Sequence, residues 1–257
     1  MKKKILKIIR TKNIRPLVCL TAYSKPIAKL ADNHCDIVLV GDSLATAMLG
    51  MKNTHNVDMQ TMIRHGISVK SNLKKAICVV DMPYNTYKNS PQAIKNAKLI
   101  YKKTKCDAVK VECNGKNYKI ISDIVKSGIP VMGHIGFTPQ FFKKFSVQGV
   151  SEKDKIKIIN QAKTIEAAGV FSLVIECVNS ALAKKITNML KIPTIGIGAS
   201  VHCDGQILVT DDMLGLSGFY PKFVKKYAEL DNVIDIGIEK YKKEVLNKKF
   251  PKKNNTF

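Results

Sequence analysis

Short apolar runs separated by longer amphipathic segments make up most of this chain. Eight runs consist mainly of Val, Ile, Leu and other apolar residues and are the length of buried strands. The eight runs are Leu17–Leu20, Ile37–Val40, Ala76–Val80, Ala108–Val111, Pro130–Met132, Phe171–Ile175, Pro193–Ile197 and Gln206–Val209. The segments between them are long enough for a helix, so the pattern predicts repeated βα units.

Three segments have the spacing of helices. Residues 90–105 begin with Ser90 as the predicted N-cap and Pro91 at the first helical position. Residues 152–169 carry apolar residues at helical spacing and end at Gly169. The stretch from Val233 predicts a terminal helix with a lysine-rich face, followed by a disordered tail from about residue 250. We expect one domain over 1–257, because no linker or second-domain pattern interrupts the chain.

Eight βα repeats fit either a closed barrel or a doubly wound sheet, and their number favours a (β/α)8 barrel. A dinucleotide-binding sheet would need a glycine-rich turn between a strand and a helix. Gly196 and Gly198 are the one candidate, but they lie in or at the end of a late strand and lack the third glycine. The predicted fold class is therefore α/β, as an eight-fold barrel.

Polar residues end five successive apolar runs, at Asp42, Asp81, Glu112, His134 and Glu176. The carboxyl ends of barrel strands form one mouth, where the active sites of this fold lie. A single Asp in such a place is more often a helix cap or a turn residue. Four carboxylates around one mouth would repel one another, and a divalent cation relieves that repulsion. Oxygen ligands without cysteine favour Mg²⁺ or Mn²⁺.

Three neighbouring polar residues have two interpretations each. Lys110 shares a strand face with Glu112, where it is either a structural ion-pair partner or, as we favour, a clamp for an anionic substrate. His134 is as well explained by a satisfied core histidine as by a chemical role. Ser43 either donates a hydrogen bond to a substrate carboxylate or caps the next helix.

The net charge of +23 raises the possibility of a nucleic-acid partner. The charge comes almost entirely from lysines spread along the chain, with arginine only at Arg10, Arg15 and Arg64. No aromatic residues interleave with a basic stripe, as a base-stacking surface would require. We therefore expect no specific nucleic-acid binding.

Cysteine usage and the first residues indicate a reducing compartment. The seven cysteines are odd in number and contain no CxxC pair. Lys7, Arg10 and Lys12 interrupt the first apolar stretch, so it does not have the pattern of a signal peptide. No segment is long and apolar enough to span a bilayer. We expect a cytoplasmic protein without a membrane partner.

Ordered motifs give the chain a family resemblance. The matching stretches, from about Leu20 to Tyr227, are LTAY, VGDSL, DMPY with NTY, DAVKVE, GIPVMGHIGFTPQ, VIECV, IPTIGIGA and CDGQILVTDDMLGL. In these the chain resembles ketopantoate hydroxymethyltransferases, also called 3-methyl-2-oxobutanoate hydroxymethyltransferases. The resemblance implies a barrel of the phosphoenolpyruvate/pyruvate type. It also implies one Mg²⁺-like ion per subunit and a large homo-oligomer, typically a homodecamer.

The same resemblance implies a reaction. A hydroxymethyl group passes from the co-substrate 5,10-methylenetetrahydrofolate to 3-methyl-2-oxobutanoate in pantothenate and coenzyme A biosynthesis, through an enolate that the metal stabilises. Metal ligands fall on Asp42, Asp81 and Glu112, and the proton acceptor falls on Glu176. Substrate contacts fall on Asp42, Ser43, Asp81 and Lys110. We add His134 to the expected substrate contacts because it lies at a predicted strand end.

The chain departs from the usual family pattern at Ala45, at Cys113-Asn114 and at Ser200, where glycines are common. These departures concern loops beside the expected site rather than its ligands. A related 2-oxo acid lyase remains a second interpretation, but the chain lacks a catalytic motif such as KKCGH. A basic binder of nucleic acid or of an anionic surface is the third, and it leaves the five strand-end residues unexplained.

Overall fold

A computed structural model describes residues 3–142 and 144–257. In these residues eight parallel strands close into a barrel in sequence order, with β8 paired to β1. The strands are β1 (Leu17–Thr21), β2 (Ile37–Val40), β3 (Ile77–Asp81), β4 (Ala108–Glu112), β5 (Val131–Gly136), β6 (Ser172–Glu176), β7 (Thr194–Ile197) and β8 (Gly205–Leu208). The prediction of an eight-fold β/α barrel is confirmed.

The described helices are α1 (Lys3–Ile9), α2 (Lys25–Ala31), α3 (Leu44–Ala47), α4 (Met59–Lys70), α5 (Ser90–Thr104), α6 (Tyr118–Lys126), α7 (Glu152–Ala167), α8 (Ser180–Met189), α9 (Thr210–Met213) and α10 (Leu230–Leu246). Helices follow β1 to β6 and β8, whereas the described residues between β7 and β8 contain no helix, and α1 precedes β1. Short 3-10 turns occur at Thr54–Asn56 and Lys253–Asn255.

Several strands run further than their apolar runs. β3, β4 and β6 include the acidic residues that follow those runs, and β5 continues past Met132 to Gly136. The reason is pairing, because β5 lies between β4 and β6, with Glu112 opposite His134 and Gly136 opposite Glu176. Backbone hydrogen bonds from both neighbours keep these polar residues within the barrel wall.

Two apolar clusters pack against the strands, one outside the barrel wall and one inside it. One lies between the barrel wall and the helices and includes Val38, Val80, Ile100 and Ile165. The other fills the barrel interior near the strand starts, where Ile5 and Ile8 of α1 pack with it. Its remaining buried members are Leu17, Cys19, Ile37, Leu39, Ile77, Val79, Ala108, Met132, Phe171, Val174, Ile195 and Ile207. The interior is thus apolar at the amino ends of the strands, leaving the carboxyl ends for polar residues.

Helix boundaries correct one prediction and confirm another. The N-cap of α5 is Asn89 rather than Ser90, because the Asn89 side chain accepts a hydrogen bond from the backbone of Gln92 at 3.0 Å. Ser90 is the first helical residue and donates to Asp123 instead, at 2.6 Å. After α7, Gly169 adopts a φ of +90°, which permits the turn out of the helix, as predicted.

The chain forms two compact units, Met1–Thr210 and Asp211–Phe257. The first contains the barrel. In the second, α10 begins at Leu230, three residues before the predicted start, and none of its residues is buried. A single domain with a disordered tail from about residue 250 stays a prediction. Among the described residues, no helix has the length and apolar character needed to cross a membrane.

Candidate active site

The polar residues predicted at the strand ends lie at one mouth of the barrel. Asp42 follows β2, whereas Asp81, Glu112 and Glu176 end β3, β4 and β6. His134 lies inside β5 rather than at its end, but it is opposite Glu112 in the pairing of the strands. The stagger of the barrel therefore brings His134 to the same level as the carboxylates.

Asp42, Asp81 and Lys110 form the first half of the cluster, and each is at most 5% exposed. The backbone N–H of Asp42 donates to Oδ2 of Asp81 at 3.0 Å. The ammonium of Lys110 lies 3.2 Å from the same oxygen. Oδ1 of Asp81 is buried and has no hydrogen-bond partner among the described residues. A buried carboxylate oxygen in that state is costly, and a cation satisfies it.

Glu112, His134 and Glu176 form the second half. Nδ1 of His134 lies 3.5 Å from Oε1 of Glu112 and 3.3 Å from the ammonium of Lys110. Its other ring nitrogen, Nε2, lies 3.2 Å from Oε2 of Glu176. The Glu176 side chain is 15% exposed, more than its neighbours, so it is the carboxylate that faces the open mouth.

Burial and crowding perturb the acids and bases of this cluster. Burial raises the pKa of Asp42 well above its usual range, and the charges of Asp81 and Glu112 raise it further. Burial also raises the pKa of Asp81, although Lys110 opposes that shift. For Lys110, burial alone would lower the pKa, but the surrounding carboxylates raise it. Burial and Lys110 likewise oppose protonation of His134, yet Glu112 and Glu176 raise its pKa to about 9.

The charges in the cluster do not balance. Four carboxylates face at most two positive charges, those of Lys110 and of His134, because neighbouring carboxylates raise the pKa of both groups. Two negative charges therefore have no counterpart among these six side chains when every carboxyl group is ionised. The mouth is built to receive positive charge.

Ser43 lies beside this cluster and does not cap α3 with its side chain. It is the N-cap residue by position, but its hydroxyl makes no capping hydrogen bond. The hydroxyl instead lies 2.8 Å from the hydroxyl of Tyr23. Ser43 is half-buried, so its hydroxyl is held at the mouth beside Asp42.

Comparison with known proteins identifies the family. Residues 2–253 match the family model described as ketopantoate hydroxymethyltransferase. The chain is 49% identical to a 3-methyl-2-oxobutanoate hydroxymethyltransferase of Pelagibacter ubique, over 100% of both chains. It is 46% identical to one of Chelativorans sp., covering 97% of this chain and 90% of the relative. The chain belongs to the ketopantoate hydroxymethyltransferase family.

Solved structures similar to this family member share its fold. A phosphonopyruvate hydrolase aligns with a TM-score of 0.64 at 11% identity, over 96% of this chain and 88% of the other. A 2,3-dimethylmalate lyase of the PEP mutase/isocitrate lyase superfamily aligns with a TM-score of 0.59 at 12% identity, over 95% and 88%. The chain therefore shares its barrel fold with these two enzymes.

Three residues of the site were not predicted from the sequence. Gln140 lies in the loop between β5 and α7 and contacts both Asp42 and Glu112. Tyr87 and His55 in turn contact Gln140. Gln140 and Tyr87 lie within the motifs GFTPQ and NTY that carry the resemblance, but no strand-end pattern marks them. Their role depends on loops that meet only in the folded chain.

The carboxylates of the mouth supply only part of the direct ligands that a hard divalent ion needs. Within 3–142 and 144–257, no three His, Cys, Asp or Glu side chains are arranged to hold one ion together. Asp42 and Asp81 nevertheless supply buried oxygens at adjacent strand ends, including the unpartnered Oδ1 of Asp81. Such oxygen ligands suit Mg²⁺ or Mn²⁺, which usually keep several waters in protein sites.

Proposed function

We propose that this protein transfers a hydroxymethyl group from 5,10-methylenetetrahydrofolate to 3-methyl-2-oxobutanoate, giving 2-dehydropantoate for pantothenate and coenzyme A biosynthesis. The observation that carries the proposal is the acidic mouth with two cations, in a chain whose full-length relatives are named for this reaction. The predicted site residues meet in that mouth, as one reaction centre requires.

Asp42 and Asp81 would hold a divalent ion, Mg²⁺ or Mn²⁺, and Glu112 would assist either directly or through a bound water. The excess of carboxylates over cations and the unpartnered Oδ1 of Asp81 support this assignment. When bound, such an ion polarises the carbonyl of a 2-oxo acid as a Lewis acid. A structurally similar phosphonopyruvate hydrolase, 12% identical with a TM-score of 0.62 over 99% of this chain and 93% of its own, is described in complex with oxalate and Mg²⁺.

The cations and hydroxyls of the mouth would bind and orient the substrate. The Lys110 ammonium is fixed by Asp81 at 3.2 Å, so it can attract the negative charge of a 2-oxo acid without moving. The Ser43 hydroxyl can donate to a carboxylate oxygen of the same substrate. Glu112 and Glu176 raise the pKa of His134, and a protonated His134 would favour negative charge that develops on the substrate.

Glu176 would move the proton. In the proposed step its carboxylate takes the C3 proton of 3-methyl-2-oxobutanoate, and the electrons of the C–H bond form the enolate. The enolate carbon then attacks the methylene carbon that the folate delivers. One C–N bond of that carbon breaks as its nitrogen takes the proton that Glu176 removed. Water then replaces the second folate nitrogen, whose C–N bond breaks as it takes a proton from that water, so tetrahydrofolate leaves and the product keeps the hydroxyl. Glu176 suits this role because its oxygen is 3.2 Å from Nε2 of His134 and it is the most exposed carboxylate of the cluster.

We also propose that the protein acts as a homo-oligomer in the cytoplasm, with the homodecamer as the expected size. The seven cysteines are all buried, and their odd number without a CxxC pair is expected of a protein kept in a reducing compartment. The exposed apolar residues of α10 support self-association.

An assay of the purified protein tests the reaction and its metal together. The protein receives 3-methyl-2-oxobutanoate, 5,10-methylenetetrahydrofolate and Mg²⁺, and ketopantoate is followed. We expect turnover that disappears after exhaustive chelation and returns with Mg²⁺ or Mn²⁺. Full turnover after chelation would contradict the metal assignment, and cleavage of a 2-oxo acid without folate would indicate a lyase instead.

A further inference from the structure

Gln140 is a buried polar residue that the proposed reaction does not use. It lies in the loop between β5 and α7 and is only 2% exposed. A primary amide has two donor hydrogens and an acceptor oxygen, and leaving them unpaired in the interior is costly. The contacts of Gln140 therefore indicate what holds this loop in place.

Those contacts reach the carboxyl-end regions of three strands, β2, β3 and β4. The side-chain nitrogen Nε2 donates to Oδ2 of Asp42 at 2.7 Å and to the carbonyl of Met82 at 3.1 Å. The side-chain oxygen accepts a hydrogen bond from the hydroxyl of Tyr87. The backbone N–H donates to Oε2 of Glu112 at 3.0 Å, and the backbone carbonyl lies 3.1 Å from a ring nitrogen of His55.

Gln140 therefore binds two of the three carboxylates that would serve the metal, and it contacts one oxygen on each. A carboxylate with one oxygen fixed by a donor cannot rotate freely, so its second oxygen points in a set direction. The donor is neutral at both contacts. A cationic donor in this place would compete with a metal ion, and a carboxylate would add repulsion to Asp42, whose pKa is already raised by burial and by its neighbours.

We propose that Gln140 is a positioning residue for the divalent ion, which sets the carboxylates of Asp42 and Glu112 and ties the loop between β5 and α7 to the site. Tyr87 orients the amide by donating to its oxygen, so that the nitrogen faces Asp42. This inference rests on the proposed function, because it requires that the mouth binds a divalent ion.

The test measures binding of Mn²⁺ alone, without either substrate, by electron paramagnetic resonance of the free ion. Gln140→Met keeps the length of the side chain but removes the amide. Partners of metal ligands typically contribute about 10- to 100-fold to metal affinity, and we expect Gln140→Met to raise the Kd for Mn²⁺ by about that factor. The matched control is Gln148→Met, because Gln148 belongs to the same connection but bonds Ser146. That control keeps the wild-type Kd.

Tyr87→Phe gives a second route to the same conclusion. It keeps the ring and removes the hydroxyl that orients Gln140, so we expect a smaller rise in the Kd for Mn²⁺. Because the two residues act through one contact, Tyr87→Phe adds little when Gln140 is already Met. Should Gln140→Met fail to fold, as judged by circular dichroism and its melting temperature without metal, Tyr87→Phe alone decides.

The outcomes separate this inference from the proposed function. Wild-type protein that binds no Mn²⁺ overturns the metal assignment itself. Wild-type protein that binds Mn²⁺, with an equal Kd in folded Gln140→Met and in Tyr87→Phe, overturns only the positioning role. A higher Kd in both variants at an unchanged melting temperature supports it, since a purely structural role would lower stability instead.

Discussion

At the scale of single residues, the site consists of carboxylates whose charge the chain does not fully compensate. Asp42, Asp81 and Glu112 are buried, and Lys110 and His134 are their nearest cations. Glu176 differs from them because its side chain is partly exposed and faces His134 from the open side. The residue that we propose moves a proton and the residues that we propose hold a metal are thus separated by position in the mouth.

Glu176→Gln tests that separation. The amide cannot accept the C3 proton, so exchange of that proton from 3-methyl-2-oxobutanoate with deuterated water, followed by NMR, should fall by about 100-fold or more. Mn²⁺ affinity should stay unchanged, because Glu176 is not among the proposed ligands. The control is Glu152→Gln, whose side chain is exposed and pairs with Lys155 at the start of α7. Undiminished exchange in Glu176→Gln would remove it from the role of base.

At the scale of elements, one carboxylate joins α2 to the start of β3. Asp32 follows α2 and accepts hydrogen bonds from the backbone N–H groups of Lys74, Lys75 and Ala76 at 2.9 to 3.0 Å. Burial alone would raise the pKa of Asp32, but these donors lower it below its usual value. The ionised form therefore stabilises the entry into β3, the strand that ends in Asp81.

Replacing Asp32 with Asn should lower the free energy of unfolding at pH 7 by about 1 to 3 kcal/mol, because charged acceptors for three donors are lost. A carboxylate with a lowered pKa stabilises the fold above its unfolded pKa of about 3.9 and loses that contribution as the pH falls through its folded pKa. The difference between wild type and Asp32→Asn should therefore shrink below about pH 4, which urea unfolding at several pH values measures.

Asp123→Asn is the comparison for this prediction. Asp123 pairs with Lys119 and accepts from Ser90 at the surface, so its replacement should change stability much less. Equal losses of stability in both variants would show that the contact of Asp32 with the start of β3 has no special importance.

At the scale of the whole molecule, the exposed apolar residues of α10 support the expectation of self-association. No residue of α10 is buried, although the helix carries many large apolar side chains. Ile234, Ile238, Tyr241 and Val245 recur at helical spacing on one face, each between 42% and 61% exposed. An exposed apolar face of this kind marks an interaction surface, and a second copy of this chain is the partner that we propose.

The double substitution Ile234→Lys and Ile238→Lys should therefore dissociate the oligomer. The apparent mass in light scattering should move toward the 28.5 kDa of one chain, while the circular dichroism of the barrel stays the same. The control is the double substitution Asn232→Lys and Glu239→Lys. It adds at least as much positive charge on the opposite side of α10 and should leave the mass unchanged. A wild-type mass of one chain would contradict self-association, and unchanged assembly of the first variant would place the interface elsewhere.

The alternation of apolar runs and helical segments was enough to predict the barrel, because each strand must be buried on both faces and each helix must cover it. The strand-end rule was enough to select Asp42, Asp81, Glu112 and Glu176 as one group. The same reasoning placed His134 at a strand end, whereas it lies within β5, because pairing with β4 and β6 extends that strand. It also chose Ser90 instead of Asn89 as the N-cap, since both residues can cap a helix.

The sequence by itself determined which polar residues face the mouth, since strand periodicity and strand order are local properties of the chain. Only the tertiary structure decided how their oxygens are used. Lys110 contacts Asp81, and Gln140 contacts Asp42 and Glu112, across separations of 28 to 98 residues in the chain. Such contacts follow from the stagger of the barrel and the path of its loops, and no local pattern encodes them.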